Sequence, residues 1–546
     1  MRTPKSRVVL LIGKVALFTA LLSACGGGDK TSTSSDVVHP TPVEASRLLS
    51  QATFGPTVAE INRLSDMGTA AWFNEQFAKP QKMHFAYMNA ATVAAGDRLS
   101  EDQFFESFWQ QAVNGDDQLR QRVAFALSQI FVISYQNSTL AYNPRGVASY
   151  YDLLGTYAFR NFRDLLQAVT LHPMMGNYLN ALGNEKTAGT LEPNQNYARE
   201  IMQLFTIGLR QLNPDGTDTT APATETYSSN DIRGLAMVFT GWSWAGPDKN
   251  QDRFFGWGTP DPNRDWLPMQ NYPAYHETLP KTFLGVTIPA NTSGEASLKI
   301  ALDTLFNHPN VGPFIGRELI QRMVTSNPSP AYVGRVAAAF ANNGQGVRGD
   351  MKAVIKAVLL DPEARTVPAS STAGKIREPV LRLANWMRAF HSASSSGRFQ
   401  MGQIDDPVWG LAQTPMRAPS VFNFFRPEYV PPNSNIALAN KFSPEMQITE
   451  EMSVTGYLNF MRDAIQNGTG ISNDIKADYT AELALAATPG LLVDRINLLL
   501  MQNQMSSTLR SQILAAINSN PGNSAINKVY LAIFLTMASP EYIVQK

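Results

Sequence analysis

The sequence predicts a mainly α protein: a large multi-helix body with long irregular, aromatic-rich loops and one small β-hairpin. Three observations lead there. From about Glu44 onward the apolar residues recur mostly at the helical period. Alternating strand-like runs are scarce. No fixed-period repeat is present, which argues against a regular solenoid. Of 546 residues 44% are apolar, enough for a sizeable core. The length would suit roughly three or four domains. The continuity of the helical pattern favours a single large body over 44–546, with a division into two subdomains near residue 290 left open.

The N-terminus reads as an export signal. Arg2, Lys5 and Arg7 precede an apolar stretch from Val8 to Leu22, broken by Lys14. Leu22-Ser23-Ala24-Cys25 follows and resembles a bacterial lipobox. The resemblance implies that residues 1–24 are removed and that Cys25 is lipidated as the mature N-terminus. The alternative is a short membrane helix with a chance cysteine, but the run falls short of the ~20 apolar residues a span needs. Residues 25–43, rich in Gly, Ser and Thr, read as a flexible tether. Gly26 follows the cysteine where Asp does not, and by resemblance to lipoprotein sorting this favours the outer membrane.

Without residues 1–24 the chain keeps 41 basic and 45 acidic side chains, so the neutral total becomes −4. That suits an exported body in the periplasm and argues against nucleic acid as a partner, which needs excess Lys and Arg. The lone cysteine excludes an intrachain disulfide framework, a zinc finger and a Cys-clustered iron–sulfur site. No later segment has the ~18 uninterrupted apolar residues of a membrane span.

Along the body, Phe104, Phe105, Phe108 and Trp109 lie at helical spacing, and so do Leu119, Val123, Leu127, Ile130 and Phe131. Similar patterns predict helices over 146–170, 195–210, 231–242, 311–325, 330–342, 347–360, 375–392, 446–466, 488–502 and 526–538. The hairpin is expected at Leu212–Tyr227, around Asp215-Gly216. Asn213–Asp218 resembles part of a calcium loop but lacks the closing Glu, so it reads as a turn. Between Gly241 and Pro280 the chain holds Trp242, Trp244, Trp257 and Trp266, four of its eight tryptophans, among Gly and Pro. These rings either pin an irregular loop to the helices or offer a stacking surface for sugars. Ala418–Asn433, with Phe422, Phe424, Phe425 and Tyr429, reads as a buried plug.

Six stretches resemble the bacterial family catalogued as domain of unknown function 1800. They are Ala45–Gly55 (ASRLLSQATFG), Asn196–Gly208 (NYAREIMQLFTIG), Asp231–Trp242 (DIRGLAMVFTGW), Asn307–Arg322 (NHPNVGPFIGRELIQR), Gly346–Arg365 and Ser420–Pro432 (SVFNFFRPEYVPP). The resemblance spans nearly the whole mature chain. It implies an exported, mostly helical protein, often encoded beside members of a second exported family, domain of unknown function 1501. It implies no reaction. Members often carry a twin-arginine signal, and the lipobox without Arg-Arg departs from that.

The candidate chemistry rests on few residues. On a helix over 195–210, Glu200 falls between Leu204 and Ile207, and a carboxylate facing a core must be paired, metal-bound or raised in pKa. Asp231 opens the next helix as an N-cap, with Ser229 or Asn230 as rivals, or pairs with Glu200 as acid and base or cation ligands. Of six histidines, His39, His84 and His391 are set aside. His172 and His308 precede prolines at helix boundaries, where capping is expected. His276 lies in the aromatic loop beside Glu277, with Lys281 close behind. In the resembling family His172, Glu200, Asp231, His276 and Lys281 fall at motif positions, which makes them the set to test.

No H-E-x-x-H, G-x-S-x-G or Walker-type loop is present. No cofactor is named by the sequence, and the metal question stays open. Two functions follow as expectations. The first is an accessory or binding lipoprotein of the envelope, anchored through Cys25 and working with a partner such as a member of the second family or a surface polymer. The alternative is an envelope enzyme acting on a polysaccharide or other surface substrate, with a site built from Glu200, Asp231, His172 and His276.

Overall fold

Several helix starts in this chain are written as a small polar residue followed by proline. Ser329 precedes Pro330, Asp361 precedes Pro362 and Ser539 precedes Pro540, and each side chain accepts an N–H from the first turn. Proline suits that position because its missing N–H would be unsatisfied there anyway. Thr41 opens helix Pro42–Ala52 with a reciprocal capping box to Glu44. In the computed structural model, twenty-six α-helices result among the described residues, which are 39–93, 96–370, 373–519 and 524–546. The predicted signal, Cys25 and the tether as far as Val38 lie outside them.

The protein is mainly α, as its periodicity predicts. Trp72, Trp109, Trp386, Tyr150 and Tyr151 are among the largest side chains fully buried in its core. Two predicted segments resolve differently. The stretch 146–170 is two helices, Pro144–Tyr157 and Phe162–Leu171. The helix expected over 195–210 is Asn196–Gln203. It stops early because Ile207 and Gly208 both donate to the Met202 carbonyl, with Gly208 at φ 70°. A side chain at Gly208 would also meet the Phe314 ring at 2.8 Å.

Strands are confined to four two-stranded antiparallel sheets among the described residues. At Leu212–Tyr227 only the isolated bridges Arg210–Glu225 and Leu212–Asp218 form. Asn213–Asp218 is a turn, where Asp215 accepts from the Thr217 N–H and hydroxyl. The regular hairpin pairs Lys281–Phe283 with Val286–Ile288. Its turn residues Leu284 and Gly285 have φ 47° and 76°, the mirror-image geometry that hairpin turns favour. Helix Ser229–Val238 lies directly on this hairpin, and Gly234 permits the approach: a Cβ there would sit 1.7 Å from the Thr282 carbonyl oxygen. No helix among the described residues is long and apolar enough to cross a membrane.

The aromatic loop is largely pinned. Trp242, Trp244, Phe254 and Tyr272 are buried, and Trp266 packs edge-on against Phe85 at 4.8 Å. Trp257 differs: it is 67% exposed and stacks on Phe255.

Candidate functional site

Of the five side chains predicted to carry chemistry, two share a cluster, His276 and Lys281. His172 ends helix Phe162–Leu171 and caps helix Pro173–Tyr178. Its Nδ1 accepts the Met174 N–H at 3.2 Å, its Nε2 faces the Ser149 hydroxyl at 3.4 Å, and its ring meets Tyr150 edge-on. Burial pushes its pKa down to about 3, so the ring is neutral.

Asp231 completes a capping box with Ser228, which is the residue that caps the helix in place of Ser229 or Asn230. Its Oδ2 accepts from the Ser228 N–H and hydroxyl, each at 2.7 Å, and its Oδ1 from the Leu284 N–H at 2.6 Å. Partial burial pulls its pKa up, but the bonds from Ser228 and Leu284 outweigh that and hold the carboxyl below its usual range. Both oxygens are therefore committed to structure. The pair expected between Asp231 and Glu200 is not formed.

Glu200 is half-buried, and its Oε2 is enclosed with no hydrogen-bond partner. Burial raises its pKa, opposed by exposed Arg199. Tyr178 and Tyr227 lie nearby, and both phenols are pushed up to about 12 by burial, reinforced by the Glu200 charge. Because the helix ends at Gln203, Ile207 is no neighbour on its face.

His276 and Lys281 do come together, in one buried cluster with Glu277. His276 Nδ1 donates to the Thr240 carbonyl at 2.8 Å. The Glu277 carboxylate accepts from the N–H groups of Thr187, Thr278 and Leu279. The Lys281 ammonium is fully enclosed without a hydrogen bond, and its pKa is lowered by burial against the pull of Glu277. His276 is likewise lowered by burial and, less, by Lys281. No hydrogen bond or ion pair joins this cluster to His172, Glu200 or Asp231. Among the described residues no three His, Cys, Asp or Glu side chains are grouped to hold a metal ion.

A different place has the character of a site. A cleft of about 240 Å³ opens where the chain leaving helix Asn196–Gln203, helix Val311–Met323 and the loop around 421–428 meet. Leu204, Leu209, Leu212, Phe314, Val421 and Phe422 form its apolar wall, and Arg210, Arg317, Arg322 and Arg426 supply charge. The Asn196–Gly208, Asn307–Arg322 and Ser420–Pro432 stretches of the family resemblance thus converge on one cavity. Phe422 lines the cleft and Phe425 is buried, so the expected plug is half plug and half wall.

Beneath the cleft lies a layer of buried charge. Arg322 pairs with Glu318 at 2.5 Å and donates to the Gln129 carbonyl at 3.0 Å. Lys375 pairs with Glu445 at 3.2 Å and donates to the Arg322 carbonyl at 2.9 Å. Gln129 and Gln413 both donate to Glu378, and Arg122 donates to the Arg322 carbonyl. Buried charges are costly unless paired and fully bonded, yet eight buried polar atoms here have no partner: Gln129 Oε1, Gln321 Oε1, Arg317 Nε and Arg322 Nε on lining residues, with Arg122 Nε and Nη1, Glu378 Oε1 and Glu445 Oε2 behind. Buried polar atoms are normally satisfied, so this concentration sets the cleft apart. Three looser pairs mark its mouth. Glu428 leans toward Arg210 at 3.7 Å and Arg317 at 3.8 Å, and Asp218 toward Arg210 at 3.6 Å, all beyond hydrogen-bond reach.

None of the five predicted residues lines this cleft. Its arginines were missed because they come from segments up to 216 positions apart, at Arg210 and Arg426. The available signal was the resemblance, since two of its quoted stretches contain Arg317, Arg322, Arg426 and Glu428.

Residues 47–544 match the family described as "Protein of unknown function (DUF1800)", and the chain belongs to it. No curated protein and no solved structure matches.

Proposed function

We propose that this member of the DUF1800 family is an exported envelope lipoprotein, held by a lipid on Cys25, that works by binding a ligand or partner segment in the arginine-lined cleft. The observation that carries the reading is the cleft itself. An apolar wall with a few convergent polar groups is the general form of a recognition site, and here it sits on a layer of buried charge with unsatisfied atoms. Leu22-Ser23-Ala24-Cys25 supports the anchoring, and the resemblance supports a partner from the second exported family.

Co-purification tests this. Mature, detergent-solubilised protein recovered from envelope extract should retain a stable partner, and Leu209→Trp should lose it. Leu209 is 55% exposed and lines the cleft, so a larger ring there blocks the cavity without entering the core. Recovery of the same partner by both proteins would reject the cleft as the binding site.

One observation favours a second reading, an envelope enzyme. Glu200, with its raised pKa, an enclosed unpartnered oxygen and two neighbouring phenols, has the features of a proton-transfer group. Turnover of a surface polysaccharide abolished by Glu200→Gln but untouched by Leu209→Trp would establish that reading over the first.

A further inference from the structure

The cleft has a buried polar floor of Gln129, Glu318, Gln321 and Arg322. Its half-buried wall is hydrocarbon and aromatic, from Leu204, Phe314, Val421 and Phe422, and its mouth carries Arg210, Arg317 and Arg426 beside Glu428 and Asp218. Arg426 lies over the Phe422 ring at 5.1 Å and has no carboxylate partner among the described residues. Arg210 and Arg317 share the Glu428 carboxylate, and Arg210 also faces Asp218, each at a distance too long for a hydrogen bond. Half-exposed pairs of this kind hold little free energy, so Glu428 is readily exchanged for a better-seated anion. Its position, with one oxygen toward each arginine, shows where such an anion would sit.

We infer that the cleft takes a single-chain amphipathic anion from solution, with a carboxylate or phosphate head replacing Glu428 between Arg210 and Arg317 and an apolar tail along Phe314 and Phe422. This rests on the cleft-binding reading above and adds the chemistry of the ligand. A cavity of about 240 Å³ has room for a short alkyl chain. Guanidinium forks match carboxylate and phosphate oxygens two by two, which a point charge does not.

The test is calorimetric titration of the mature protein with octanoate and octyl phosphate, each below its micelle concentration, against octyltrimethylammonium. Both anions should bind at one site and the cation should not. Glu428→Gln should tighten octyl phosphate about three- to tenfold, because it removes the carboxylate that lies between Arg210 and Arg317. Arg317→Gln should weaken it at least tenfold. Arg210, Glu428 and Arg426 are exposed at the cleft mouth, and circular dichroism of each variant checks that the fold is kept. Equal binding of the cation, an affinity indifferent to Glu428→Gln, or binding only to phosphatidic acid vesicles would overturn the inference. The two readings fail separately. A Leu209→Trp protein that loses its partner while wild type ignores octyl phosphate would sink the ligand chemistry alone. Octyl phosphate binding with the partner still held by Leu209→Trp would sink the recognition role alone.

Discussion

At His172 burial decides the protonation state, and the consequence is an acid-sensitive contribution to stability. The folded pKa of about 3 lies below the ordinary 6.5, so as pH falls through 6.5 the unfolded chain takes up a proton that the folded ring refuses. Stability is present above 6.5 and is lost toward the folded value, at about 1.4 kcal/mol per pH unit for such a group. Asn at this position keeps an acceptor for the Met174 N–H and does not titrate. Between pH 7 and 4.5 wild type should therefore lose about 2–3 kcal/mol relative to His172→Asn, read from urea unfolding. Buried His84, at about 4, and Asp152, raised to about 7, titrate in both proteins and cancel in the difference. Parallel pH profiles would show that His172 titrates normally. The sequence marked His172 as a boundary capper from its place before Pro173. It gave no sign of its near-complete burial, which depends on Tyr150 and Ser149 from another helix.

Among the elements, the His172 cap before Pro173 was legible because it is a local rule: a side-chain acceptor bonds the N–H two residues on. The cap of helix Ser229–Val238 was not, since it falls on Ser228, ahead of every candidate. Nor was the hairpin. Asp215-Gly216 did make a turn, but Pro214 and Pro222 lack the N–H groups a ladder would need beside it. The real hairpin turns on Leu284, a residue that rarely signals positive φ, and Asp231 from the facing helix holds it there. Asp231 thus joins two elements, a role visible only after folding. Gly234 makes the same contact from the helix side. Gly234→Ala places a methyl against the Thr282 carbonyl, and the helix must lift off the strand. The expected loss is about 3 kcal/mol or more, measured by denaturant unfolding. A loss below 1 kcal/mol would mean that the two elements are not in close contact.

Over the whole molecule, mainly helical architecture was legible because 3.6-residue periodicity is a local property that tertiary packing reinforces. The cleft was not, because its walls come from four distant segments and its charge layer adds Arg122, Lys375, Glu378 and Glu445 from others. Of the residues that sequence reasoning picked out, His172 and Asp231 serve as helix caps, while Lys281 and Glu200 each keep an enclosed polar atom without a partner. The central claim, that recognition occurs in the cleft, is tested most directly by placing a photo-crosslinking amino acid at position 209, inside it, or at position 257, on the exposed aromatic loop. Irradiation of each protein in envelope extract should give a discrete adduct from position 209 and none from position 257. An adduct from position 257 alone would move recognition to the aromatic loop and contradict the account.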